Sequence, residues 1–334
     1  MSNKTGLFAA AVTAACLVFQ TPSAAAAQTK PSTTTTWYVY VTTDESDSAF
    51  LSWMYNKGYE AGQKDLALPG TQNGVAILDF GQPWVNSAGT YGTWSFNATY
   101  GKFMSTSLIL QGLKKFAVGY WDGTGSDLTS TMRVVAGTNN HKPYVTYRHG
   151  QEWGRMVNDF GTWLSQSAYG SQVLARGGND MEPDYATAID TRSWVSGYAS
   201  VWNHVLYDYG SANGCPQSGT TTTAGACNNG WTQADEQYLA WGAAPSFPFP
   251  EIYSTAGGNA KQWQQISLYS YLKSGGAMGI LGPLSQQQAC ALRQNCYGIN
   301  NTFDQAWSQL WSALNADPRT AQSLTYSSDI KWRK

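Results

Sequence analysis

Eight short runs rich in β-branched and aromatic residues recur along this chain, and most neighbouring runs are far enough apart to hold a helix. They span 37–43 (WYVYVTT), 74–80 (GVAILDF), 115–121 (KFAVGYW) and 143–148 (PYVTYR), then 172–178 (QVLARGG), 204–210 (HVLYDYG), 249–254 (FPEIYS) and 277–282 (AMGILG). Between them lie stretches of helical period. Phe50 with Met54 and Leu51 with Tyr55 mark one face, ended by Gly58. Trp153, Met156, Val157, Phe160 and Leu164 mark another, and Trp194, Val195, Tyr198, Val201 and Trp202 follow Asp190 as N-cap. Ile266, Tyr269 and Leu272 precede a Gly275–Gly276 stop, and Phe303, Trp307, Leu310, Trp311 and Leu314 follow Thr302, with Gln305 in capping-box position. Eight strands alternating with helices predict an α/β fold of the (β/α)8 TIM-barrel type. A doubly wound sheet would call for a Gly-rich turn after the first strand, and none occurs there.

The segment 1–27 reads as a signal peptide: Lys4, an apolar run over 7–19, and an A-x-A site at Ala25–Ala27. That run is too short to span a bilayer. A Thr-rich linker (28–36), a single barrel domain (37–320) and a C-terminal tail (321–334) follow. The stretch 211–246 exceeds an ordinary βα connection and reads as an insertion between strands six and seven. Cys215 and Cys227 fall inside it, and Cys290 and Cys296 form a second close pair. In an exported chain this spacing predicts two local disulfides. His141, His149 and His204 show no ligand spacing near these cysteines, so zinc is disfavoured.

The chain carries 20 Lys plus Arg against 21 Asp plus Glu, with no basic stripe, which disfavours a nucleic-acid partner. Fifteen Trp and 20 Tyr supply an aromatic core and leave rings that can stack on the C–H faces of sugars. The expected partner is carbohydrate, met by a secreted monomer with no membrane contact and no cofactor.

In a barrel of this kind the active site lies at the C-terminal strand ends. Asp79, Asp208 and Glu251 are each embedded in an apolar run, where a charge needs a partner or a task; Arg148 and Arg176 are candidate ion partners. Asp44, Asp122 and Asp184 taken singly read as loop or cap residues, though Asp122 also follows the third run and is a candidate substrate contact, as is Arg148. Trp121, Tyr147, Tyr185, Tyr209 and Tyr253 are candidates for sugar stacking. The sharpest feature is 179–184 (NDMEPD). If the strand continues to Glu182, Asp180 and Glu182 share one face by period-two alternation. Two close carboxylates repel, so one keeps its proton, and a protonated Glu182 would serve as general acid.

Asp180-Met181-Glu182 resembles the D-x-E motif that closes a barrel strand in several glycoside hydrolase families, among them chitinase-like enzymes and the muramidase group. The resemblance implies Glu182 as acid and Asp180 as its assistant. Chitinase-like enzymes carry a further Asp two positions earlier, where this chain has Gly178. Their motif also falls on strand four rather than five, so the resemblance holds at superfamily level. The leading expectation is a secreted hydrolase of a polysaccharide or cell-wall glycan, with Asp208, Glu251 or Asp79 as nucleophile or base. A non-catalytic glycan- or partner-binding barrel is the alternative. A metal-dependent hydrolase using Asp79, Asp180, Asp208 and His149 or His204 ranks below both. A serine hydrolase lacks its G-x-S-x-G motif. A second carboxylate facing Glu182 at roughly 5–10 Å separates enzyme from binder.

Overall fold

A computed structural model describes residues 28–333 except 97–99, 245 and 294; the predicted signal peptide lies outside the described residues. The strands are β1 (Thr34–Tyr38), β2 (Asn73–Asp79), β3 (Gln82–Val85), β4 (Tyr91–Trp94), β5 (Phe103–Ser105), β6 (Thr131–Asn139), β7 (Val173–Asp180), β8 (Leu206–Asp208), β9 (Ser246–Pro248), β10 (Leu284–Ser285) and β11 (Ser328–Trp332). The helices are α1 (Asp47–Leu66), α2 (Thr106–Gly123), α3 (Tyr147–Ser165), α4 (Ala188–Ala199), α5 (Gln233–Gln237), α6 (Gly258–Ser274), α7 (Gln287–Arg293) and α8 (Phe303–Asn315).

Eight strands form one parallel sheet in the order β10-β11-β1-β2-β6-β7-β8-β9. Backbone bonds then join its two edges. Leu281 N donates to Pro248 O at 2.9 Å, Leu284 N to Pro250 O at 2.8 Å, and Ile252 N to Leu284 O at 2.8 Å. The sheet therefore curls shut, which removes its open edges. The small antiparallel sheet β3-β4-β5 is an excursion between the second barrel strand and α2.

Several readings of the sequence are corrected. The runs at 115–121 and 143–148 are not strands: the first lies inside α2, and the second is a loop leading into α3. In α2 the apolar residues Leu108, Ile109, Leu113, Phe116, Ala117 and Tyr120 follow helical spacing and are buried, a period hidden when only seven residues are read. The third barrel strand is instead β6, where Arg133 and Gly137 interrupt the apolar pattern. The eighth is β11, from the segment read as a tail, and β10 lies just beyond the 277–282 run. Residues 34–36, read as linker, belong to β1, which pairs with both β2 and β11. The D-x-E strand β7 is thus the fourth barrel strand, and the stretch 211–245 lies between the fifth and sixth.

Helix α1 also runs through Gly58 rather than ending there. A Cβ at Gly58 would lie 2.0 Å from Phe116 O, and one at Gly119 would lie 2.1 Å from Tyr55 O. The two helices therefore meet backbone to backbone across glycines, and the same device joins α3 to α4 at Gly150 and Gly197. Four Trp (153, 194, 231 and 263) are fully buried, so much of the aromatic content is core, each ring removing roughly 150–250 Å² from water. Gly119→Ala should push α1 from α2 and cost about 1–3 kcal/mol, read as a lowered denaturation midpoint. An unchanged midpoint would contradict this packing.

Candidate active site

A cavity of about 490 Å³ opens among the C-terminal ends of the barrel strands, lined by Tyr38, Phe96, Asp180, Glu182, Tyr185, Ser211, Glu251, Tyr253, Arg293 and Trp332 among others. Tyr38 ends β1 and Asp180 ends β7. Glu182 stands two residues beyond, and Asn140 keeps the chain extended there. Its Oδ1 accepts from Glu182 N at 2.9 Å while its Nδ2 donates to Glu182 O at 3.0 Å. Glu251 is set from both sides: its N donates to Gly210 O at 3.1 Å beyond β8, and at the closing seam it bridges in parallel to Leu284.

The three carboxyl groups converge. Oxygens of Asp180, Glu182 and Glu251 all lie within 4.8 Å of one another. Tyrosines hold two of them: Tyr38 donates to Asp180 Oδ2 at 3.1 Å, and Tyr253 to Glu251 Oε1 at 2.5 Å. Burial, then the Glu251 and Glu182 charges, holds the Asp180 carboxyl well above the usual carboxylate range. Burial followed by the Glu182 charge does the same to Glu251. Glu182 is pushed up to about 7 by burial, against the opposing hydroxyls of Tyr185 and Ser211. The cluster therefore retains protons near neutrality, as like charges this close require. An oxygen-rich set of this width also has the donors a hard divalent cation takes.

Other buried carboxyls lie outside the cavity wall. Asp79 accepts from Gly81 N at 2.8 Å and Tyr209 OH at 2.9 Å. Asp208 accepts from Gly210 N at 3.2 Å, and its Oδ2 has no partner among the described residues. Glu236 on α5 is fully buried, with neither oxygen partnered among the described residues, and its pKa is raised by burial and then by the Asp208 charge. Sequence reading missed it, because α5 is too short to show a period.

Of the stacking candidates, Tyr185 and Tyr253 line the cavity, and Tyr209 is buried against Asp79. Trp121 and Asp122 are on α2, where Trp121 meets Tyr169 and Asp122 accepts from Tyr55. Tyr147 and Arg148 sit in the first turn of α3, with Arg148 paired to Glu152. These four were placed at the mouth only through the two misread strands. No described ion pair joins Arg148 or Arg176 to the carboxylate cluster. Neither histidine of the metal reading reaches it either. His149 is sealed between Gly92 O at 2.7 Å and the Trp194 indole N–H at 2.9 Å, and His204 lies against Arg176 and Tyr198.

The rim is built from excursions. Cys215–Cys227 and Cys290–Cys296 are both paired. Asp184 accepts from Asn213 and Asn228, each at 2.9 Å, which clasps the insertion to the loop after Glu182. Phe96, from the loop after β4, stacks on Tyr38 at 4.9 Å and meets Trp332 edge-on at 5.1 Å. Tyr38, Phe96 and Trp332 come from distant parts of the chain and form one aromatic cluster, which meets the acids through the Tyr38 hydroxyl.

No family model matches the chain, and no curated protein matches it. Among solved structures it is similar to the Ignisphaera aggregans GH53 catalytic domain, at 13% identity and a TM-score of 0.26, over 71% of this chain. It spans about half of that domain, 54%. The barrel assignment rests on the strand order and its closure.

Burial raises Asp79 and Asp208 from 3.8 to about 7. Between those values the folded protein holds protons that the unfolded chain has released, so stability falls as pH rises through this window. His149, lowered by burial from 6.5 to about 4, works oppositely: its contribution is full above 6.5 and is lost as pH falls toward 4. The more numerous carboxyls outweigh it. Wild type should therefore melt higher near pH 5 than near pH 8. Asp208→Asn should shrink that difference by about 3 kcal/mol. An Asn variant with the wild-type slope would contradict the assignment.

Proposed function

We propose that this protein is a secreted glycoside hydrolase that cleaves a polysaccharide or cell-wall glycan by acid–base and nucleophilic work of paired carboxyls. The observation that carries the reading is the meeting of Asp180, Glu182 and Glu251 within 4.8 Å in an open, aromatic-walled cavity. Two disulfides suit an oxidising compartment, and among the described residues no helix is long and apolar enough to cross a membrane.

Glu182, poised near 7, donates its proton to the glycosidic oxygen. The cluster shares its protons, and the reacting form is the one in which Glu182 holds the proton and Glu251 is ionised. Glu251, held by the Tyr253 hydroxyl, then attacks the anomeric carbon as the leaving group departs. Glu182, now ionised, takes a proton from water, and that water displaces Glu251. Asp180, kept protonated by its neighbours, lowers the repulsion between the working pair. The carboxyl spacing favours retention: retaining enzymes use about 5–5.5 Å, whereas inverting enzymes need roughly 6.5–9.5 Å to seat a water. Asp79 and Asp208, outside the cavity wall, are supports rather than nucleophiles.

Screening a glycan panel for both binding and cleavage tests this. Wild type should release product whose first-formed anomer, followed by proton NMR, keeps the substrate's configuration. Glu182→Gln should lose about 10²–10⁴ in rate while still binding. Activity should fall as pH rises through about 7, where Glu182 loses its proton, and should survive dialysis against a chelator. Cleavage undiminished in Glu182→Gln would sink the proposed acid. Binding without cleavage by wild type would favour a glycan-binding barrel, and loss of activity on chelation would favour a metal site.

A further inference from the structure

We infer that the cleft takes glycans bearing an anionic substituent, a carboxylate or a sulfate, and that Arg293 is the residue that reads it. The inference rests on the reading above for the sugar; the charge recognition comes from the cavity wall.

Arg293 ends α7 and is the only basic residue among those lining the cavity, which otherwise carries Asp180, Glu182 and Glu251. Its guanidinium lies 4.2 Å from the Trp332 ring centroid. Stacking occupies the face of the guanidinium and leaves the N–H donors on its edge free. Among the described residues no carboxylate meets it. By contrast, Arg148, Arg155, Arg192, Arg319 and Arg333 each pair with an acid. A cation left unpaired at the wall of a ligand-sized cavity has its charge available for what enters.

The backbone that carries this exposed side chain is tied down. The Cys290–Cys296 disulfide closes a short loop around Arg293. Asp329 accepts from Gln287 N at 2.8 Å and Gln288 N at 3.0 Å, fixing the start of α7. Gln286 Nε2 donates to Ile299 O at 2.9 Å, tying down the far side of the loop. A pre-placed planar fork matches the two oxygens of a carboxylate or sulfate, and less ordering is lost on binding. A neutral sugar hydroxyl would use one donor and leave the charge unanswered. An acidic sugar also needs such a counter-charge, because the same cavity carries three carboxyls.

Calorimetric binding to the full chain carrying Glu182→Gln tests this, since binding is then read without turnover. The probes are glucuronic-acid-containing and sulfated oligosaccharides, each beside its carboxyl-reduced or desulfated counterpart. At least one acidic probe should bind roughly tenfold or more tightly than its neutral counterpart. Adding Arg293→Gln should abolish that ratio, weakening the acidic probe far more than its neutral counterpart, and Arg293→Lys should keep part of it. The carboxylate and sulfate arms tell the two sources apart. Equal affinity within every pair, no binding by any acidic probe, or a preference that survives Arg293→Gln would overturn the inference. If the preference holds but wild type does not cleave the preferred glycan, the hydrolase reading falls and the inference stands. If wild type cleaves neutral glycans and no pair differs, the reverse is true.

Discussion

Closure of the parallel sheet between residues 248–252 and 281–284 is the constraint on which the site depends. Only two residues of β10 belong to the regular ladder, and β9 has three. The ring is therefore sealed by a few backbone bonds at its shortest strands. Together with the Glu251 N to Gly210 O bond on the β8 side, those bonds hold Glu251 beside Asp180, although 71 positions separate the two residues in the chain. Opening this seam would leave Glu251 held only from the β8 side, through Gly210 O.

Bringing buried acids together is costly, because each loses water and repels the others. The surroundings answer in two ways. Donors are supplied where the groups are fixed: Tyr38 for Asp180, Tyr253 for Glu251, and Tyr209 with Gly81 N for Asp79. Protons are retained where donors run short, as at Asp208 and Glu236. The same raised proton affinity that burdens folding above neutral pH is what a general acid requires. Stability and chemistry thus draw on one electrostatic arrangement.

Legibility from the sequence follows the range of the signal. The Thr302–Gln305 capping box on α8 is present as read, because it is written within four residues. The D-x-E alternation is local too, and Asp180 and Glu182 do share one cavity. The strand numbering failed where a seven-residue window met α2, whose buried face is continuous enough to mimic a strand. Strand β6 was passed over because Arg133 breaks its apolar run, and Arg133 is accommodated by stacking on Tyr326. Tyr38, Phe96, Arg293 and Trp332 gave no signal as a set. Nothing in sequence links them, and only the long-range pairing of β1 with β11 makes those two strands neighbours. Asp184, read as a loop residue, instead clasps the insertion, a role that depends on two asparagines more than 25 positions away.

Glycine contacts between α1 and α2, and between α3 and α4, tie the outer layer closely to itself beneath this rim. The central claim is that the mouth keeps a proton on Glu182 near neutral pH, and carbon-detected NMR titration of the glutamate carboxyl carbons measures it without a substrate. The predicted result is a midpoint for Glu182 at about 7, assigned through loss of the signal in Glu182→Gln. A midpoint at the ordinary value of 4.5 would contradict the account.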